Sequence, residues 1–165
     1  MISKKIQDSL NEQINIELYS AYTYLAMSAN FETQHMEGFA NWMKLQAQEE
    51  LSHAMKYYNY VIERGAEISF KSVQAPSGNW SSPLKAFEEA LKQEQKSTLL
   101  INAQMDLAVS EKDHATQIFL QWFVTEQVEE EDSIGGILQK LNRIGDDPNG
   151  LLMIDQKLAQ RSSAA

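Results

Sequence analysis

The stretch MKLQAQEELSHAMKYYNYV, residues 43–61, places Met43, Ala47, Glu50, Ala54, Tyr57 and Val61 at alternating steps of four and three. That rhythm marks the inward stripe of a packed helix. One position of the stripe is a carboxylate, Glu50. His53 follows it by three residues, one turn along the same face. Three other stretches repeat the pattern. One reads Leu10, Ile14, Glu17, Ala21, Tyr24, Ser28, Phe31; another reads Phe87, Leu91, Glu94, Thr98, Ile101, Met105, Ala108. The last reads Leu120, Phe123, Gln127, Glu130, Ile134, Ile137, Leu141. Each of the four apolar seams is thus interrupted by a glutamate. A lone buried carboxylate is costly or takes up a proton. Four, one per helix, make sense when a positive charge sits between them.

Composition narrows the chemistry. The chain has 165 residues, enough for one domain with a substantial core. Its formal net charge of -9 argues against nucleic acid or an anionic membrane as the main partner. There is no cysteine, so disulfides, thiolate metal sites and thiol catalysis are excluded. The opening Met1-Ile2-Ser3-Lys4-Lys5 lacks an apolar run of signal-peptide length. No stretch reaches the roughly 20 apolar residues of a membrane span. The expectation is a cytoplasmic protein.

Three prolines and seven glycines punctuate the chain, and they cluster. Ser3 is placed to cap a first helix running to about Thr33. Glu32 to Gly38 reads as a short turn, so the second helix returns antiparallel to the first. Gly65 suits the end of that helix. From Ala66 to Ser81 the helical period is lost, over a length that fits a crossover along a bundle rather than a tight hairpin. Ser82-Pro83 supplies an N-cap and a first-turn proline for a third helix, which reaches about Glu111. Asp113 caps a fourth, ending near Arg143. Gly145-Asp146-Asp147-Pro148 breaks it before a short fifth helix, about Asn149 to Gln160. The polar tail from Arg161 to Ala165 is expected to fray. Gly135-Gly136 inside the fourth helix costs about 1 kcal/mol per glycine relative to alanine and predicts a bend or a close subunit contact.

Glu50 and His53 can reach one cation. On the fourth helix Gln127 and Glu130 share a face at the same spacing, and Glu17 and Glu94 come from the remaining two helices. Oxygen-rich ligation with an imidazole suits iron or manganese and tolerates zinc. Carboxylate-bridged di-iron bundles use this layout, with one glutamate from each of two helices and Glu-x-x-His from the others. Here the fourth helix carries Gln127-x-x-Glu130 instead. One metal would have a histidine and the other would not, so the second site should be weaker and more labile.

Across its full length the chain resembles the bacterial non-haem ferritins. The resemblance rests on Asn11-Glu12-Gln13, Glu17-Leu18-Tyr19-Ser20, Ala47-Gln48-Glu49-Glu50 with His53, Glu94, and the run Phe119-Leu120-Gln121-Trp122-Phe123-Val124 with Glu126-Gln127 and Glu129-Glu130. It implies an all-α, ferritin-like four-helix bundle with one long crossover and a short C-terminal fifth helix, as a single di-iron domain over residues 1–165. It implies an iron-storage ferroxidase that oxidises iron(II) with dioxygen or hydrogen peroxide and deposits iron(III) mineral in the cavity of a homo-oligomeric shell of 24 subunits. By the same resemblance Glu17, Glu50 and His53 hold the first iron, with Glu50 bridging, and Glu94 and Glu130 complete the second beside Gln127. Glu49, Glu126, Glu129 and Glu130 form a third iron site, and Tyr24 is the tyrosine that donates an electron.

Two departures from relatives matter. Bacterioferritins place a haem-ligating methionine just after the bridging glutamate; here that position is Leu51, so no haem is expected. Animal ferritins line an entry channel with acidic residues where this chain has Gln117 and Leu120. Blander readings stand beside several of these residues. Glu129 to Asp132 also reads as a solvated acidic face. Tyr24 also reads as a core aromatic, Trp42 and Trp122 as packing, and His35 and His114 as surface residues near turns. A di-iron oxygenase or peroxide reductase would carry a second histidine in the fourth-helix motif and an electron-delivery partner. A DNA-coating mini-ferritin would bring a basic tail, and a purely structural bundle would keep its glutamates protonated.

Overall fold

The computed structural model describes residues 2–163, which form α1 (Lys4–Thr33), α2 (Glu37–Glu63), α3 (Pro83–Ser110), α4 (His114–Ile144) and α5 (Pro148–Leu158). The caps are those the sequence marks. The Ser3 hydroxyl accepts from Ile6 N, the Ser82 hydroxyl accepts from Lys85 N above Pro83, and Asp113 accepts from Thr116 N. Each satisfies one of the free amides of a first turn. Gly65 and Gly145, just past α2 and α4, adopt φ of +69° and +57°, where a side chain would be strained. The helix α1 packs along α2, α3 along α4, and α1 against α3; α5 closes one end against α2 and α4. Among the described residues no helix is long and apolar enough to cross a membrane.

Three local expectations are corrected. The turn between α1 and α2 is shorter than Glu32 to Gly38, because Gly38 already lies in the first turn of α2. Its role is close packing: a Cβ there would stand 1.7 Å from the carbonyl oxygen of Asp155 in α5. The fifth helix starts one residue early and ends two early, at Pro148 and Leu158, with Asp147 capping Asn149 N and Gly150 N. The tail does not fray at its start. Arg161 is tied to α2 by side-chain and backbone bonds described below, while residues 164 and 165 lie outside the described residues. Gly135 and Gly136 make no close approach within the chain, since an added Cβ meets nothing within 4 Å. The helix α4 runs unbroken through both glycines. They line an open groove of about 650 Å³ between α3 and α4.

The crossover has no regular structure yet is fastened to α1. Asn11 donates to Glu67 O at 2.9 Å and accepts from Ser69 N at 2.8 Å; Asn15 donates to Ser69 O at 3.0 Å and accepts from Lys71 N at 2.7 Å. Two asparagines four residues apart on one helix face thus replace the partner strand that an extended segment needs. Near its end Trp80 is buried, with its indole N–H on Glu89 at 2.8 Å.

The core is two apolar clusters. One holds Tyr24, Met27, Phe31, Phe39, Trp42, Phe87 and Ile134 with their neighbours, next to α5. The other holds Ile6, Leu10, Ile14, Tyr57, Ile101, Leu120 and Phe123. Along each of α1 to α4 the seam glutamate falls between these sets. A polar layer therefore crosses the middle of the bundle.

Candidate metal centre

Glu17, Glu50, Glu94 and Glu130 all point into that layer and are buried, as are His53 and Gln127. Ligand atoms of Glu17, Glu50 and His53 lie within 4.8 Å of one another, and so do those of His53, Glu126 and Glu130. His53 belongs to both groups, with Nδ1 3.3 Å from Glu50 Oε2. Glu94 enters from α3 opposite them, holding Tyr24 OH at 2.5 Å and receiving the Gln127 amide at 3.3 Å. Gln127 also donates to Glu94 O and to Thr98 Oγ1, both at 3.2 Å, and Thr98 donates to Glu131 at 2.6 Å.

Burial and mutual repulsion among the carboxyls dominate the electrostatics of the layer. Burial, and then the charge of Glu50, hold Glu17 well above the ordinary carboxylate range. Burial and Glu94 do the same to Glu50. Burial raises Glu94 against the hydrogen bonds from Tyr24 and Gln127, and burial with Glu94 pushes Glu130 up to about 8. Four carboxyls with one imidazole between them must share protons or accept a metal.

Of the other residues singled out in the sequence, Glu126 is half-buried and joins His53 and Glu130. Glu49 is half-buried and paired with Arg161 at 2.6 Å, and Glu129 is exposed. Neither of these two belongs to the ligand groups found among the described residues. Trp42 packs in the core as expected, but Trp122 is 41% exposed. The Trp122 ring centroid lies 5.4 Å from that of His53, and Lys56 Nζ stands 3.8 Å from the Trp122 centroid. His35 and His114 are exposed, and Leu120 is fully buried in the core.

Sequence reading missed the buried amides that hold the candidate ligands. Gln13 donates to Glu17 at 2.7 Å, and Gln46 donates to Glu50 at 3.2 Å and Glu130 at 2.7 Å. Behind Gln13 the bonds continue: Gln104 donates to Gln13 Oε1 at 3.2 Å and accepts from Tyr57 OH at 3.0 Å. A signal existed, because Gln13 and Gln46 each precede a seam glutamate by four residues. That spacing lets a glutamine bond a carboxylate on its own helix.

A helical bundle whose middle layer gathers carboxylates from four helices around a histidine defines a class of metal-binding bundle proteins. Residues 7–144 match the Ferritin-like domain family. A bacterial non-heme ferritin of Bacteroides fragilis is 44% identical over 161 residues, covering 98% of this chain and 100% of the relative. One of Staphylococcus saprophyticus is 45% identical over 162 residues, covering 98% and 97%. The crystal structure of an open pore ferritin from the archaeon Archaeoglobus fulgidus superposes with a TM-score of 0.97 at 47% identity, covering 98% and 100%. The chain belongs to the ferritin family, the iron-storage class of helical bundles.

Proposed function

We propose that the chain is a ferroxidase subunit of an iron-storage shell, acting as one di-iron domain. Iron(II) is the substrate. Glu17, Glu50 and His53 hold one iron, and Glu50, Glu94 and Glu130 hold its neighbour beside Gln127. Two iron(II) ions together supply two electrons. Dioxygen with two protons then becomes hydrogen peroxide, or peroxide with two protons becomes two waters. The raised carboxyls are proton donors in this scheme, since metal binding displaces the protons they carry. Iron(III) passes to a mineral in the cavity of a shell of 24 copies in the cytoplasm. Glu49, Glu126 and Glu129, with Glu130, serve a third iron on that path; when that iron(II) and Tyr24 each add one electron to the two from the paired irons, dioxygen and four protons become two waters.

The observation that carries this reading is the buried layer of four carboxyls and one imidazole contributed by four helices. The names of the bacterial relatives add support. Glu50→Ala and His53→Ala are expected to abolish fast iron(II) oxidation in stopped-flow absorbance, with the helical content intact, because each removes a ligand of the first metal. Removing a buried carboxyl also relieves repulsion, so the fold should survive. Wild-type oxidation rates in either variant would sink the assignment.

A further inference from the structure

Arg161 lies beyond α5, at the start of the segment expected to fray, yet its guanidinium is engaged on three sides. Nη2 donates to Glu49 Oε2 at 2.6 Å and to Gln46 Oε1 at 3.0 Å, and Nη1 donates to Trp42 O at 3.1 Å. The guanidinium also stands 4.5 Å from the Trp42 ring centroid. Asn41 holds the same segment by donating to Leu158 O at 3.3 Å and Arg161 O at 3.1 Å.

The consequence runs through Gln46. A glutamine amide has one acceptor end and one donor end. Arg161 has donors only, so it takes the Gln46 carbonyl and turns the NH₂ inward. That NH₂ then bonds Glu50 of α2 and Glu130 of α4. With Arg161 in place Gln46 has no exposed surface, so the guanidinium is what meets its carbonyl. Across the layer, Gln13 is oriented toward Glu17 in the same way, but from a buried Tyr57–Gln104 pair inside the bundle. Among the described residues, the Gln46 arm is the one of these two that is governed from outside the four-helix bundle.

We propose that Arg161 is a positioning residue for the metal centre, acting through Gln46 on Glu50 and Glu130. The Arg161–Gln46 bond, rather than the seating of the helix before it, then sets how tightly the paired centre binds metal. This rests on the ferroxidase reading above, in which Glu50 and Glu130 are ligands. Groups that orient ligating carboxylates alter metal affinity by about ten- to a hundredfold when removed.

The probe is zinc(II), titrated calorimetrically into the metal-free assembled protein. Arg161→Ala should weaken zinc binding at the paired centre about tenfold. Gln46→Met, which keeps the volume and deletes the amide, should weaken it at least as much. The double variant should be no weaker than Gln46→Met alone, because Arg161 acts through that side chain. Asp155→Ala is the control. Asp155 accepts from Phe39 N at 3.0 Å, so its loss loosens α5 without touching a partner of Arg161. That variant should melt earlier and bind zinc as the wild type does. Wild-type affinity in Arg161→Ala would overturn the proposal, as would equal weakening in Asp155→Ala or losses that multiply in the double variant. Failure of the wild type itself to bind zinc in the buried layer would instead sink the ferroxidase reading on which it stands.

Discussion

Tyr24 on α1 donates its hydroxyl hydrogen to Glu94 Oε1 on α3 at 2.5 Å, linking the two helix pairs at the level of the carboxylate layer. Burial, and then the charge of Glu94, push the Tyr24 hydroxyl well above its ordinary range, so it is a proton donor at neutral pH. Tyr24→Phe removes the donor and leaves Glu94 buried with Gln127 alone. Urea unfolding of the metal-free variant should show a loss of about 2 kcal/mol, the scale of a hydrogen bond to a charged group. Iron(II) binding should keep its stoichiometry while the fast oxidation phase slows. An unchanged oxidation rate would leave Tyr24 as a structural strut only.

The raised carboxyls make a prediction about pH. Glu130 rises from near 4.5 to about 8, and Glu17, Glu50 and Glu94 rise with it. An acid whose folded value is raised binds more protons in the native state, so its contribution is complete below the unfolded value and is lost as pH climbs through the folded one. The metal-free protein should therefore melt at progressively lower temperature between about pH 5 and pH 8. Saturating zinc should remove that fall, because it binds the native site alone and replaces the protons. Calorimetric melts across this range decide the matter. A metal-free stability that rises steadily toward pH 8 would contradict the electrostatics of the layer.

Gly38 tests how α5 is seated. Its missing Cβ is what lets the Asp155 carbonyl approach, and Asp155 in turn caps Phe39 N. Gly38→Ala forces a Cβ against the Asp155 backbone, which no rotamer change relieves. The expected loss is about 3 kcal/mol, at the upper end for overpacking, measured by denaturant unfolding. A stability within error of the wild type would mean α5 is free to shift.

Glu129 tests whether the proposed third site is distinct from the proposed paired centre. It is exposed and lies outside both ligand groups, so the paired centre keeps all its ligands in Glu129→Ala. Oxidation should continue, with a changed ratio of oxygen consumed per iron(II) at an oxygen electrode. Complete loss of oxidation would put Glu129 in the paired centre. No change in either rate or ratio would make the acidic run a solvated face.

Much of the architecture is legible because it depends on local rules. Ser3, Ser82 and Asp113 cap helices wherever they precede an apolar period, and Gly65 and Gly145 end them for the same reason in any context. The crossover was legible only as a loss of period. Its attachment to Asn11 and Asn15 depends on which face of α1 it meets. Gly38 looked like turn chemistry because sequence shows a glycine's freedom, whereas the packing partner is 117 residues away at Asp155. On α3 the seam predicted Thr98 and Met105 inward, yet Ser97 and Gln104 are the buried neighbours. A helix period near 3.6 drifts from strict steps of three and four, and packing against α4 and α1 decides the rotation.

By itself the sequence determined four long helices, their order, and a glutamate in the middle of each inward stripe with His53 beside one of them. Periodicity and capping are properties of a single helix, and desolvation of a carboxylate in an apolar stripe is costly however the helices cross. The tertiary structure alone decided that His53 faces both Glu17 with Glu50 and Glu126 with Glu130. It alone turned the Gln46 amide toward Glu50 and Glu130 and set Arg161 behind it. A hydrogen bond acts over about 3 Å and fails at poor angles. Contacts of that range between separate helices depend on crossing angle, rotation and rotamer together, and no spacing along the chain encodes those three at once.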